Sequence, residues 1–267
     1  MLTKRLIACF DIIDGMVTKA VQFQDNITVA PAESLAEAMY EKEIDELIFY
    51  DITASSQKRH IDIATVKKVA KKVFIPFTVG GGIKDINDMY EVLKAGAEKI
   101  SIDSMAVRNP AIISEGAKAF GSQCIVLSTQ AKKVPVTEEI PSGYEVYIDG
   151  ARVATGLDAL AWLKRGQDLG AGEICVNSID NDGTLAGYDL QLMQLAEKAV
   201  TVPLIASGGA GKPEHLKELF TDTQAQAAII SSMLYSPRME KNYTVAELKE
   251  YLLQEKINMR SPKYIKE

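Results

Sequence analysis

The stretch Thr78-Val-Gly-Gly-Gly-Ile83 decides the fold, because a close copy of it returns as Ala206-Ser-Gly-Gly-Ala-Gly211. An offset of 128 residues carries Gly80 onto Gly208, and the same offset carries Ser104 onto Ser232. The lysine that follows each copy also superposes. A shared offset across several residue types predicts that the chain is built from two duplicated halves.

Each copy is an apolar run that ends in glycines and leads into a helical pattern. Glycines at such a turn let the backbone come close to a ligand, and the N–H groups of the following turn can hold a phosphate. For one copy alone, a tight turn without a ligand is an equal alternative. Two copies, each followed by a Ser at the end of the next strand, favour two phosphate sites. That arrangement indicates a substrate with a phosphate at each end.

The composition limits the class of protein. The 267 residues are 47% hydrophobic and carry a net charge of −6, so a large core is expected and a nucleic-acid surface is not. No apolar run approaches membrane-spanning length, and the first residues lack a signal-peptide pattern. The cysteines Cys9, Cys124 and Cys175 lie in apolar runs. They indicate buried free thiols in a cytoplasmic protein rather than a disulfide or a metal site.

Eight short runs rich in Ile, Val, Leu and Phe alternate with helical patterns. The predicted strands are 5–11, 46–52, 74–79, 99–103, 124–129, 173–178, 203–206 and 227–231. The predicted helices are 36–43, 63–72, 86–95, 110–119, 156–169, 190–199, 214–219 and 245–255. The alternation predicts an α/β fold, a single (βα)8 TIM barrel over residues 1–267 built from two duplicated half-barrels.

Two connections at C-terminal strand ends are longer than a plain turn. Residues 12–31 follow the first strand, and 16–23 are predicted to form a small hairpin. Residues 131–155 follow the fifth strand and contain Asp149-Gly150, a type I′ hairpin signal. Active sites of this architecture lie on that face, so both insertions are interpreted as lids, with tolerated excursions as the alternative.

The polar residues of the predicted strands fall into two groups, one at the C-terminal strand ends and one at the strand starts. The predicted C-terminal mouth carries Asp11, Asp51, Thr53, Asp103, Ser104, Gln130, Asn177, Asp180, Asp182, Ser207, Ser231 and Ser232. The opposite face carries Arg5, Glu46, Lys99 and Glu173 at strand starts. These four could simply solvate the bottom rim. As two cations and two anions, they could instead form a closed ring across the barrel axis that plugs or gates the barrel.

Motifs spread over nearly the whole chain resemble a known family. They include Arg5-Leu-Ile-Ala-Cys-Phe-Asp11, Asp14-Gly15, Asp45-Glu-Leu-Ile-Phe-Tyr-Asp-Ile-Thr-Ala-Ser55, Phe77-Thr-Val-Gly-Gly-Gly-Ile83, Asp182-Gly-Thr184 and Ile205-Ala-Ser-Gly-Gly-Ala-Gly-Lys212. The set is similar to the cyclase subunit of imidazole glycerol phosphate synthase, a lyase of histidine biosynthesis.

That resemblance implies a barrel that takes ammonia from a glutaminase subunit docked on its bottom face, as a heterodimer. At the top, a bis-phosphorylated ribulosyl aminoimidazole carboxamide ribonucleotide would be converted to imidazole glycerol phosphate and an aminoimidazole carboxamide ribonucleotide. No cofactor or metal is implied.

The resemblance also implies roles for single residues. Asp11 matches one of two catalytic aspartates, and Lys19 matches a lysine of a mobile substrate loop. One implied phosphate site is formed by Gly82 and Ser104, next to Asp103. The other is formed by Asp182, Gly183, Gly209, Ser231 and Ser232. The implied ammonia gate is the set Arg5, Glu46, Lys99 and Glu173.

The second catalytic aspartate is missing. The family pattern at the end of the fifth strand is Ile-Asp-Ala-Lys, and here the sequence reads Ser128-Thr-Gln130-Ala-Lys132. A carboxyl can shuttle protons, whereas a Gln amide can only hydrogen-bond. We therefore predict that Gln130 limits cyclisation.

Further departures accompany Gln130. Asp103 stands where the family has Asn beside a phosphate, and its charge is expected to repel that phosphate. Asn177 replaces a Thr, and residues 25–31 depart from the family's mobile-loop pattern.

Alternatives to a histidine-pathway cyclase remain. One is a family paralogue that delivers ammonia to another acceptor, such as a surface sugar. Another is a weakly active or inactive partner that binds and activates a glutaminase. A phosphosugar isomerase with the same duplication fits less well, because the ring of charges and the Asp182-Gly-Thr184 segment match the cyclase better.

Overall fold

The computed structural model describes residues 2–21, 24–54, 60–237 and 239–262, with the side chains of 20–26 excepted. Its strands are β1 (Arg5–Ile13), β2 (Met16–Val21), β3 (Gln24–Pro31), β4 (Glu46–Asp51), β5 (Phe77–Gly80), β6 (Lys99–Ile102), β7 (Ile125–Lys133), β8 (Tyr144–Ile148), β9 (Val153–Asp158), β10 (Glu173–Ser178), β11 (Leu204–Ser207) and β12 (Ala227–Ile229). Eight of them pair in parallel in the order β1, β4, β5, β6, β7, β10, β11 and β12, and β12 returns to β1. The predicted (βα)8 barrel is confirmed.

Helices follow the barrel strands. They are α1 (Ala32–Glu41), α2 (Ile63–Ala70), α3 (Ile86–Lys94), α4 (Ser104–Arg108), α5 (Ala111–Phe120), α6 (Ala159–Asp168), α7 (Leu190–Ala199), α8 (Pro213–Asp222), α9 (Ser231–Tyr235) and α10 (Val245–Gln254). Within the described ranges, no helix combines the length and the apolarity that crossing a bilayer requires.

Side-chain caps set several helix starts. Asp62, Asp85 and Asp189 each accept a hydrogen bond from a backbone N–H in the first turn of α2, α3 and α7. Thr244 forms a capping box with Glu247 at α10. Such caps satisfy N–H groups that otherwise lack a partner. The predicted starts of these four helices agree with the structure.

The barrel interior is built in layers, because alternate residues of each strand point to the same side. An apolar layer fills the middle and consists of Ile7, Ile48, Val126, Cys175, Ile205, Ala227 and Ile229. A separate and larger apolar core lies between the strands and the helices. The three cysteines are free, as predicted, although Cys9 and Cys124 are only half-buried.

The first insertion differs from its prediction. The hairpin pairs β2 with β3, which covers Gln24–Pro31, whereas the sequence suggested a hairpin within 16–23 followed by a loop. The run Ile27-Thr-Val29 consists of β-branched residues that favour a strand. It pairs with β2, and β2 in turn pairs with the upper part of β1.

The second insertion is a hairpin at the predicted place. The strand β8 pairs with the extended end of β7 and with β9. Asp149 and Gly150 have φ of 56° and 66°, as a type I′ turn requires, but Ala151 is also left-handed at 62°. Because Ile148 pairs with Val153, the loop has four residues instead of the two in a type I′ hairpin.

The start of β5 also differs. The prediction began at 74, but Phe74 is 78% exposed and packs edge-on against Tyr40 with ring centroids 5.9 Å apart. Pro76 has no N–H to contribute to a ladder, so parallel pairing begins after it at Phe77.

Candidate active site

A cavity of about 1130 Å³ opens at the C-terminal ends of the barrel strands. Among the predicted mouth residues, those that line it are Asp11, Asp51, Thr53, Asp103, Ser104, Gln130, Asn177, Asp182, Ser207, Ser231 and Ser232. Lys19, Gly82, Gly183 and Gly209 line it as well. Asp180 lies outside the lining, exposed, and its carboxylate accepts the Lys133 N–H at 2.8 Å. The structure thus brings together nearly all of the predicted mouth residues.

Each copy of the glycine stretch forms a turn on the cavity wall with two consecutive left-handed glycines, and in the second copy this pair comes one residue earlier than the 128-residue offset predicts. Gly81 and Gly82 have φ of 83° and 74°, and Gly208 and Gly209 have φ of 91° and 104°. A Cβ on Gly82 would lie 2.5 Å from the Ala54 Cβ, and one on Gly209 would lie 1.9 Å from a carbonyl oxygen. Both the backbone conformation and the lack of space therefore require glycine.

A short helix stands beside each glycine turn. Ser104 begins α4, and Ser231 with Ser232 begins α9. The first N–H groups of a helix have no intrahelical partner, so they can face an anion. The Ser104 hydroxyl accepts the Asp149 N–H at 2.9 Å. The Ser231 hydroxyl bonds to both the N–H and the carbonyl of Cys9 at 2.8 Å, so its side chain is tied to β1.

Three cationic side chains of the cavity were not predicted as site residues. Lys84, Arg108 and Arg152 line it, and Arg108 forms an ion pair with Asp149 at 2.5 Å. Lys84 follows the first glycine stretch and superposes on Lys212 under the 128-residue offset, so the sequence repeat did point to it. Arg108 and Arg152 reach the cavity only through the short helix α4 and the β8–β9 hairpin. No sequence motif marked either of them.

Asp11 lies on the cavity wall at the upper part of β1. Burial raises the pKa of its carboxyl, the charge of Asp182 adds to that rise, and the Lys19 ammonium opposes it. Lys19 is held nearby because β2 pairs with β1 next to Asp11, with Thr18 opposite Asp11. A carboxyl with a raised pKa can exchange a proton closer to neutral pH.

Four polar side chains form a hydrogen-bonded chain along the mouth. The Gln130 Nε2 donates to the Asp103 Oδ2 at 3.4 Å, and the Gln130 Oε1 accepts from the Asn177 Nδ2 at 2.7 Å. The same Asn177 Nδ2 donates to the Asp182 Oδ2 at 3.1 Å. Two carboxyls are thus linked through two amides on neighbouring strands. The Asn177 Oδ1, in contrast, finds no donor among the described residues.

Asp103 has an unusual ionisation. Burial raises the pKa of its carboxyl to about 7, with a further contribution from Asp149, while Gln130 and Arg108 act in the opposite direction. A carboxyl near this value is about half protonated at neutral pH. It repels a neighbouring phosphate less than a fully ionised Asp would.

The four charged residues at the strand starts form a closed ring. Arg5 binds Glu46 at 2.5 Å and also binds Glu173. Lys99 Nζ lies 2.8 Å from Glu46 and 2.7 Å from Glu173. Burial lowers the pKa of Lys99, but the two glutamates outweigh it and the net shift is upward. Lys99 therefore stays charged, and the ring closes the barrel below the apolar interior layer.

The cavity lining also includes neutral polar groups of the barrel interior, and it shares Cys175 with the apolar layer. The Tyr50 hydroxyl is 3.0 Å from the Ser101 Oγ and 3.4 Å from the Ser128 Oγ. Burial raises the pKa of the Cys175 thiol to about 12, so this thiol stays protonated at neutral pH. From bottom to top, the barrel axis thus passes a charged ring, an apolar layer and the cavity, whose lining includes these hydroxyls and thiols.

Comparisons with known proteins show the family to which the chain belongs. A family model described as "Histidine biosynthesis protein" matches residues 5–240, which places the chain in that class. Imidazole glycerol phosphate synthase subunit HisF of Desulfosudis oleivorans is 51% identical over 97% of this chain and 99% of its own length. The subunits HisF of Desulfatibacillum aliphaticivorans and Solidesulfovibrio magneticus are 50% and 49% identical over 97% and 98% of this chain.

The chain belongs to the family of imidazole glycerol phosphate synthase subunits HisF. It is an enzyme of histidine biosynthesis with the cyclase function of that subunit, a lyase-type reaction.

Proposed function

We propose that the cavity binds a bis-phosphorylated ribulosyl aminoimidazole carboxamide ribonucleotide and uses ammonia to convert it. The products are imidazole glycerol phosphate and an aminoimidazole carboxamide ribonucleotide. One observation carries the proposal: a single cavity of about 1130 Å³ joins two similar glycine turns, each beside a short helix, with Asp11 on the cavity wall. A long substrate with a phosphate at each end fits that arrangement.

Purified chain supplied with an ammonium salt and the bis-phosphate tests the reaction directly. Formation of imidazole glycerol phosphate without any other protein supports the proposal. Substrate binding at both ends without turnover would instead support delivery of ammonia to another acceptor.

Each phosphate has a distinct set of partners. Gly82 and Ser104 would hold one phosphate, with Lys84 and Arg108 providing positive charge on the same wall. Gly183, Gly209 and Ser232 would hold the other, with Asp182 at its edge. At this second site Ser231 would contribute its backbone N–H, because its hydroxyl is bonded to Cys9.

A sulfate soak tests both phosphate sites, because sulfate keeps its charge over the relevant pH range. We expect density at both glycine turns. Asp103 gains negative charge as the pH rises through about 7, so occupancy beside Ser104 should fall between about pH 6 and about pH 8. The site beside Ser232 is the internal control and should stay occupied. Density at neither turn would refute the bis-phosphate interpretation.

Ammonia would enter through the bottom of the barrel from a glutaminase subunit docked there, both of them in the cytoplasm. The support is the ring of Arg5, Glu46, Lys99 and Glu173, which closes that face. Above it, the apolar layer offers no charge to an entering neutral molecule. A docked glutaminase could release ammonia at the ring, away from bulk water.

In the cavity, Asp11 would move protons for the added ammonia. Attack of ammonia on the ribulosyl ketone leaves a positive charge on nitrogen and a negative charge on oxygen. A carboxyl of raised pKa can accept the proton from nitrogen and return it later. Lys19 would stabilise the ionised form of Asp11 and the developing oxygen charge.

A Gln130→Asp variant tests whether position 130 limits the reaction. If the amide is the limiting feature, ammonia-dependent turnover of the bis-phosphate should rise at least about tenfold, at the low end of a positioned acid or base. Gln130→Asn is the matched control, because it keeps an amide at the same site. Turnover by the unmodified chain at the speed of its relatives would contradict the assignment of position 130 as the missing acid.

A further inference from the structure

Five carboxyls line the cavity, and they differ in their hydrogen-bond and ion-pair partners. They are Asp11, Asp51, Asp103, Asp149 and Asp182. Asp51 accepts the N–H groups of Thr53, Ala54 and Asp62 and so holds the loop after β4. Asp149 is paired with Arg108.

Asp182 accepts from Asn177 at 3.1 Å. Among the described residues, the Asp103 carboxyl accepts a hydrogen bond from Gln130 alone, at 3.4 Å. Asp103 is therefore held in place while most of its hydrogen-bonding capacity is unused.

The amide chain fixes how Gln130 faces Asp103. At one end of this series of hydrogen bonds, the Asp182 carboxylate accepts from Asn177 Nδ2, which orients the Asn177 amide. That same nitrogen donates to Gln130 Oε1 at 2.7 Å, so the Gln130 Nε2 points toward Asp103. An N–H donor on one oxygen leaves the other oxygen of Asp103 to carry the exchangeable proton. Gln130 thus holds a neighbouring carboxyl in a defined orientation.

We propose that Asp103 is a catalytic acid of the cyclisation and that Gln130 is its positioning residue. The proposal rests on the function proposed above and deepens it. Relative to the family pattern described from the sequence, the carboxyl and the amide have exchanged places between the adjacent strands β6 and β7. Asp103 and Asp11 then supply the two carboxyls of the cavity that serve proton transfer. A pKa near 7 suits a group that must both give and take a proton at neutral pH.

The step that Asp103 would serve is the loss of water after ammonia adds. Ammonia and the ketone give a carbinolamine, whose carbon carries a hydroxyl and an amino group. The Asp103 carboxyl gives its proton to that hydroxyl, the C–O bond breaks, and the nitrogen lone pair forms the C=N bond as water leaves. The Asp103 carboxylate then takes a proton from the iminium nitrogen. The imine and the original carboxylic acid result, so the acid is regenerated without an oxidant or reductant.

Asp103→Asn is the direct test, assayed with the bis-phosphate at a fixed concentration of free ammonia. We expect kcat to fall by about 10²–10⁴-fold, while KM changes little or falls because a negative charge is lost beside the phosphate. Asp180→Asn is the control, since it removes an exposed carboxyl just outside the cavity, and it should keep its rate. The double variant Asp103→Asn with Gln130→Asp returns one carboxyl to the same hydrogen-bonded pair and should recover most of the lost rate.

The pH dependence of kcat/KM for the unmodified chain tests the role of Asp103 independently of the rates of the variants. At constant free ammonia, kcat/KM of the unmodified chain should fall as the pH rises through about 7, because Asp103 must be protonated to act as an acid. Burial is the main cause of the raised pKa of Asp103, Gln130 and Arg108 lower it, and Asp149 raises it further. Asp103→Asn should remove this part of the profile.

The outcomes separate the two proposals. An unmodified chain without turnover would overturn the proposed function and, with it, the role of Asp103. An active chain whose Asp103→Asn variant keeps its rate and its pH profile would overturn the role of Asp103 alone. The same conclusion would follow if Asp180→Asn lost as much activity as Asp103→Asn. If Asp103→Asn does not fold, the pH profile and the double variant decide, and failure of both refutes the proposal.

Discussion

An Asp11→Asn variant is expected to lose ammonia-dependent turnover by at least about 10²–10⁴-fold, the full contribution of a positioned acid or base. The Asp11 carboxyl lines the cavity, and its pKa is raised by burial. An Asn side chain fills the same space but cannot carry a proton. Initial rates with an ammonium salt and the bis-phosphate measure the loss.

Binding of the substrate separates a chemical defect from a structural one. Asp11 belongs to neither glycine turn and Asn has nearly the same shape, so the variant should still bind the bis-phosphate with an affinity close to that of the unmodified chain. Retained turnover in Asp11→Asn would remove Asp11 from the mechanism. Lost binding together with lost turnover would show that its role is in holding the site.

A Lys99→Glu variant is expected to affect coupling to the glutaminase more than chemistry with free ammonia. The reversal puts a third carboxylate beside Glu46 and Glu173, which are both almost fully buried, and leaves Arg5 as the one cation of the ring. The ring should open on that side, so that ammonia released by the glutaminase escapes. We expect glutamine-dependent turnover to fall clearly below ammonia-dependent turnover of the same variant.

Lys99→Arg is the matched control, because it keeps the cation and should preserve coupling. The free energy of unfolding has to be measured alongside, since breaking a buried ion pair commonly costs about 3–5 kcal/mol. Glu46 retains Arg5 and Thr78 as partners, so the loss should lie toward the lower end. Equal loss of glutamine-dependent and ammonia-dependent turnover would mean that Lys99 serves the fold and that the ring is no gate.

The barrel was predictable because its signals are local and repeated. Apolar runs of strand length alternate with helical patterns, and caps such as Asp85 and Asp189 mark helix starts within a few residues of sequence. The glycine turns were predictable because the repeated sequence contains the glycine stretch twice. The strand β3 was missed because its partner β2 lies across a turn, and pairing rather than composition decides whether such a segment is a strand.

The arrangement at the mouth could be predicted only in part. Strand ends identified the residues, but not which of them touch. From the sequence, Gln130 was interpreted only as the loss of a catalytic carboxyl. The sequence does not show that Asn177 orients the Gln130 amide toward Asp103. The ionisation of Asp103 depends on burial and on Asp149, which is 46 residues away in the chain. Both facts arise from tertiary contacts between neighbouring strands.

The duplication has a consequence for the direction in which a substrate lies. Two halves with similar glycine turns and short helices distinguish poorly between a long molecule and the same molecule turned end for end. The offset that carries Gly81 onto Gly209 also carries Asp103 onto Ser231, whose hydroxyl is bonded to the backbone of Cys9. One end of the cavity therefore holds a titratable carboxyl where the other holds a neutral hydroxyl. Above about pH 7 the two ends differ by one charge at this pair, which makes head and tail of the cavity distinguishable.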